Sequence, residues 1–170
     1  ETEVFVNGKY IDRHIGGYVS FAMDITSALT AGANKIVICA TDLLRSQNQP
    51  GGKQGRKLHS IGCSYTRTTG IWQTVWMEAV DACGLKSVRI TPELDQKCFT
   101  VQPEFYGLQA GQKLRVSVKD GDRVVSKQTQ TAATPLTLML PLKTVKTWSP
   151  DSPFLYDIEL EVLDAKGKVI

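Results

Sequence analysis

The sequence predicts an all-β protein built as two β-sandwiches in series. Two observations carry this. Short apolar runs, separated by turn residues, recur along the chain with no long helical segment between them. A second, evenly spaced strand series then begins after Asp81-Ala82-Cys83-Gly84, so a domain boundary falls at Val80–Gly84. With 170 residues, of which 42% are apolar, the chain has the material for packed cores.

The elements follow in order. Val4-Phe5-Val6 and Tyr10-Ile11 flank Asn7-Gly8, the strongest short hairpin signal, because both turn positions need φ > 0. A strand at Tyr18–Ile25 is expected after the Gly16-Gly17 break. "DITSAL" fits one helical turn that Asp24 or Thr26 can cap. "NKIVICATDLL" is a continuous apolar run, expected to be buried on both faces. Residues 45–62 form a polar loop, since Pro50, Gly51, Gly52 and Gly55 exclude a regular element. "IWQTVWMEAV" reads as a strand. On it Val75 and Met77 face a sandwich core, leaving Trp72 and Trp76 in need of another cover. That cover lies within the chain, on a following domain or on a second copy; direct stacking on sugar is the remaining choice.

After the boundary come "LKSVRI", "KCFTVQPEF", "QKLRVSVKD", "RVVSKQ", "LTLMLPL" and "FLYDIELEVLD". Turns such as Asp120-Gly121-Asp122 and Ala165-Lys166-Gly167 separate them. Strands this short, over roughly 90 residues, fit an immunoglobulin-like sandwich. The first segment offers fewer strands than the about eight of a jelly roll. Its open apolar edges predict compensation. Either chains share strands or faces as a homo-oligomer, or N-terminal strands completed the sandwich.

Composition excludes several roles. A net charge of +3 is too small to argue for nucleic acid. No run reaches membrane-spanning length, so no membrane partner is expected. Cys39, Cys63, Cys83 and Cys98 form no CxxC pair and only His14 and His59 accompany them, which argues against a zinc site. No cofactor is expected, and cysteine usage leaves the compartment open.

Three stretches carry a resemblance. "VFVNGKYIDRHIGGYVSFAMDIT" resembles the second half of the N-terminal sugar-binding jelly roll of glycoside hydrolase family 2. "YTRTTGIWQTVWMEAV" resembles that domain's closing strand, with Arg67, Gly70-Ile71-Trp72 and a Val75-Trp76-Met77-Glu78 ending. Trp148 to Tyr156 is similar to the W-S-P-x-x-P-x-L-Y phrase of the family's second domain.

The resemblance implies a partial galactose-binding-like jelly roll over 1–82 and an immunoglobulin-like β-sandwich over 83–170. It implies a (β/α)8 barrel after Ile170 that carries the two catalytic glutamates. The chain alone is then inactive. It supports the barrel and shapes its active-site rim, in a β-galactosidase-like parent that hydrolyses O-glycosidic bonds. Its partners are carbohydrate, through the parent, and that barrel. A periplasmic or secreted parent fits this style of polysaccharide degradation; a cytoplasmic one is also compatible.

The residues agree on the catalytic point. Retaining hydrolysis needs two carboxyls about 5–5.5 Å apart. Glu159 and Glu161 alternate with Ile158, Leu160 and Val162 and so face outward. Glu78 has no acidic partner in the stretch before it, and Asp151 lies in a turn between prolines. No catalytic residue is expected here.

Ser64, Tyr65 and Arg67 are the substrate-rim candidates. Ser64 stands where the β-galactosidases place an acid, a departure that removes that contact. Arg67 suits holding loop or interface carbonyls through its planar fork. The tract Leu43–Met77 has no acid but carries Arg45, Lys53, Arg56, Lys57 and Arg67, so the loop before the rim reads as a solvated loop or as a lip for an anionic glycan. Trp72, Trp76 and Trp148 are assigned to domain packing, with Trp148 plugging one end of the second sandwich. Tyr156 is expected to rest its hydroxyl on a backbone group, and His14, beside a Gly-Gly turn, to lie at the surface or in a hydrogen bond. Two alternatives stand beside this reading. One is a stand-alone carbohydrate-binding module using Trp72, Trp76, Tyr18 and Tyr65; the other is an adhesive β-sandwich without a glycan role.

Overall fold

The computed structural model describes residues 1–43, 45, 46, 48–55 and 57–170. The chain divides into two compact units, Glu1–Trp76 and Met77–Ile170.

The first unit holds one antiparallel sheet of β1 (Thr2–Val6), β2 (Lys9–His14) and β3 (Ile36–Ala40), in the order β2-β1-β3. The hairpin turn is the one the sequence predicts. Asn7 and Gly8 have φ of 51° and 81°, and Val6 pairs with Lys9 across them. Asn7 does more than turn the chain. Its amide nitrogen donates to Ala28 O at 2.9 Å and to Asn34 Oδ1 at 2.8 Å, and its oxygen accepts the Lys35 amide at 2.9 Å. The expected helical turn is a single 3-10 turn at Thr26–Ala28, and Asp24 accepts the Thr26 amide at 2.8 Å.

Three expectations for this unit fail. Tyr18–Ile25 is not a strand, and neither is any part of 71–80. β3 is not buried on both faces: Ile36 and Val37 are 45% and 39% exposed. One physical cause accounts for all three. A strand exists only where a neighbour takes its backbone N–H and C=O groups, and a three-stranded sheet cannot cover both of its own faces. Among the described residues, Val4, Val6 and Ala28 are the unit's buried apolar side chains.

The second unit realises its predicted strands. β4 (Leu85–Glu93), β5 (Cys98–Phe105) and β8 (Leu138–Pro141) form one sheet, ordered β4-β5-β8. β6 (Lys113–Asp120), β7 (Arg123–Thr131) and β9 (Asp157–Leu163) form the other, ordered β7-β6-β9. Leu114, Val116 and Val118 from β6 meet Val101, Leu138 and Leu140 in one buried cluster. The period-two alternation sends Arg115 and Lys119 to the outer face. There Arg115 makes a bidentate pair with Glu161 at 2.5 and 2.6 Å, and Lys119 reaches Glu159 at 2.8 Å. Pro103 is tolerated in the central strand β5 because β8 pairs only with Cys98–Val101, leaving Pro103 without a neighbour on that side.

At the start of the unit the buried Gln112 ties loops together. Its amide donates to Cys83 O at 2.8 Å and its oxygen accepts the Gln109 amide at 3.0 Å. Among the described residues all four cysteines are free thiols, and no helix is long and apolar enough to cross a membrane.

Candidate functional site

The rim candidates sit on a stretch of first-unit backbone that the Gly-rich loop grips. Tyr65 N donates to Lys53 O at 2.8 Å and Gly55 N donates to Tyr65 O at 2.7 Å. Thr68 N donates to Gln54 Oε1 at 3.0 Å. Gly55 is required here, since a Cβ would stand 2.9 Å from Tyr65 O. Ser64 closes a small turn with Ile61 through amide bonds of 3.0 and 3.1 Å. Residues 51–55 are thus fastened along 65–68, which the glycine and proline content alone did not reveal. Ser64 is half-buried, Tyr65 points outward with 62% exposure, and Arg67 is half-buried. Arg56, part of the predicted basic tract, lies outside the described residues.

Arg67 lines a shallow, open surface depression of about 420 Å³ together with Asp42, Leu43, Arg45 and Ser46. Asp42 is the organising residue there, and it was not singled out from sequence. Its Oδ1 accepts the Gln49 amide at 2.6 Å, and Thr69 Oγ1 approaches its Oδ2 at 3.5 Å. It therefore ties the start of the loop to the segment that follows Arg67. An acid lying between an apolar run and a basic tract was the available signal.

Trp72 and Trp76 are not among the residues that line this depression. They are 68% and 66% exposed, and the Trp72 indole donates to Gly17 O at 2.9 Å. Val75 and Met77 do not fill a core; both are exposed, because residues 71–80 have no sheet to belong to. Trp148 does not plug the second sandwich either. It is 57% exposed and lines a separate groove, also about 420 Å³, with Leu94, Phe154 and Tyr156. The buried cluster of the second unit includes Leu140 and Leu142, while Trp148 stays outside it. Tyr156 behaves as expected, its hydroxyl accepting the Lys146 amide at 2.9 Å and donating to Thr144 O at 3.3 Å. His14 stacks on Phe21 at 4.2 Å, and among the described residues its buried Nε2 has no hydrogen-bond partner.

In the second unit Glu104, Asp120, Glu159 and Glu161 pair with cations. The Arg115 fork holds the Glu161 carboxyl below the usual range, and the Lys86 ammonium, helped by the Ser87 hydroxyl, does the same for Glu104. Lys146 lowers Asp120 in the same way. A depressed, ion-paired carboxylate is a poor proton donor, so these groups do not form the acid and nucleophile pair of a glycosidase.

Comparison with known proteins fits this arrangement of two β-units. Residues 83–170 match glycosyl hydrolases family 2. A relative from Formosa agariphila is 28% identical over 99% of this chain but only 16% of its own length. A beta-glucuronidase of Paenibacillus borealis is 23% identical over 98% of this chain and 29% of its own. In structure the chain resembles a family 2 member from Bacteroides cellulosilyticus, with a TM-score of 0.78 at 19% identity, covering 99% of this chain and 23% of that one. The chain belongs to glycosyl hydrolase family 2. It spans less than a third of each of these relatives.

Proposed function

We propose that this chain is a non-catalytic part of a family 2 glycosidase. It buttresses a catalytic (β/α)8 barrel and lends Ser64, Tyr65 and Arg67 to the rim of that barrel's active site. The observation that carries the reading is the family match over the second unit in a chain that covers only 16–29% of its relatives. The exposed Trp72, Trp76 and Trp148 then pack on the rest of the parent, each with about 150–250 Å² to cover.

The parent hydrolyses β-glycosidic bonds. Similarity to beta-glucuronidases supports a glucuronide substrate, and similarity to a beta-galactosidase of Thermoanaerobacter pseudethanolicus supports a galactoside. Turnover of 4-nitrophenyl β-glycosides by the intact parent and by the 170-residue chain tests the reading. Turnover by the parent alone is expected, and the preferred sugar names the substrate. Turnover by the short chain would overturn it.

A second reading rests on the exposure of Tyr18, Tyr65, Trp72 and Trp76, all between 62% and 76%. Such rings can form the platform of a carbohydrate-binding module. Calorimetric titration of the chain with galactosides, mannosides and glucuronides decides it; no heat at millimolar sugar removes the idea.

A further inference from the structure

We propose that Arg45 and Arg67 form an oxoanion site that holds a carboxylate or sulfate group of the glycan, an inference that rests on the reading of 64–67 as active-site rim. Both arginines line the same shallow, open surface depression, although they lie 22 positions apart in sequence (67 − 45). The planar fork of arginine matches the paired oxygens of a carboxylate or sulfate.

The neighbouring groups suit that ligand. Asp42 also lines the depression and bonds there to the neutral Gln49 and Thr69 side chains, so the lining carries two cations against one anion. Ser46 Oγ accepts the Asn48 amide at 3.1 Å, and its hydroxyl is chemically able to donate to an anion. Leu43 supplies an apolar wall. Among the described residues Asp42 is the one acid in the lining, and none follows it in sequence from Leu43 to Met77. The backbone that carries Arg67 is held in place, since Tyr65 and Thr68 are fastened to Lys53, Gln54 and Gly55.

The test uses the intact parent enzyme and two matched substrate pairs. The first pair is 4-nitrophenyl β-glucuronide and β-glucoside, which differ by a carboxylate on the cleaved sugar. The second pair is 3-sulfophenyl and phenyl glycosides of the sugar the parent prefers, which differ by an anion beyond it. Arg45→Ala is expected to lower the acidic-to-neutral ratio of kcat/KM in one pair by about ten-fold, the scale of one charge-assisted hydrogen bond. The pair affected shows where the anion sits. Arg67→Lys, which keeps the charge and loses the fork, is expected to lower the same ratio by less. Rising salt should shrink the wild-type preference.

Unchanged ratios in both pairs, with turnover intact, would overturn the site and leave the glycosidase reading standing. No turnover of any probe would defeat that reading instead. The site is then read by calorimetric titration of the intact parent with inorganic sulfate. Heat in wild type that Arg45→Ala removes supports it; equal heat, or none, overturns it.

Discussion

The two halves of this chain are written in similar strand language, yet only the second closes a core. In Met77–Ile170 every inward residue of β6 meets an inward residue of the facing sheet, and Leu114, Val116 and Val118 are fully buried. In Glu1–Trp76 the strand β3 is as apolar as any, and Ile36 remains 45% exposed. Apolar pattern states what a segment can bury. Whether it does so depends on the presence of a partner.

The largest expected effect breaks that comparison at its centre. Leu114→Ala should lower the stability of the second unit by about 2–5 kcal/mol, the transfer loss plus the cavity left behind. Ile36→Ala should change the first unit by no more than about 0.5 kcal/mol, as for an exposed position. Hydrogen exchange followed peptide by peptide reads each unit separately. Equal effects would mean that Ile36 is buried in solution, with chains sharing faces.

The same contrast explains what was legible beforehand. The six strands of the second unit could be read because each finds a ladder partner within the unit, some as distant in sequence as Lys113 and Leu163. The Asn7-Gly8 hairpin could be read because its turn chemistry is local. Residues 18–25 and 71–80 were misread because an apolar pattern does not say whether a neighbouring strand takes up the backbone groups, and among the described residues none does. At the candidate site Arg67 and the basic tract were visible. The grip of 51–55 on 65–68 was not, because it runs through backbone atoms and leaves only Gly55 as a trace. Asp42 was hidden for a different reason: its partners Gln49 and Thr69 are 7 and 27 residues away.

Buried polar joints should come next in size. Gln112 is 1% exposed and serves Cys83 and Gln109 at once. Gln112→Ala leaves both backbone groups unpaired, at a cost of about 1–3 kcal/mol in urea unfolding. In the first unit the matching joint is Asn7. Asn7→Gly keeps the positive φ and loses only the side-chain bonds, for about 1 kcal/mol. Asn7→Ala adds the strain of a left-handed residue with a Cβ, about 1 kcal/mol more. Equal losses for the two would show that the turn, and not the bonds to Ala28, Asn34 and Lys35, governs the position.

The smallest effects are electrostatic, and they separate the units by pH. Hydrogen bonds from Arg115 to Glu161 and from Lys146 to Asp120 depress those carboxyls in the second unit, and in the first unit the Thr26 hydroxyl and amide depress Asp24. A carboxyl whose folded pKa lies below its unfolded value of about 4 adds stability that is complete above that value and fades as pH falls through the folded one. Both units should therefore weaken below about pH 4. Glu161→Gln should flatten the acid slope of the second unit alone, and Asp24→Asn that of the first alone, in melting curves taken from pH 6 to pH 3. The groups are solvent-accessible, so added salt should reduce the Glu161 effect, where an ion pair is involved, more than the Asp24 effect, where a neutral hydroxyl and amide do the work. A salt response of equal size in both would mean that the Arg115–Glu161 pair is not maintained in solution.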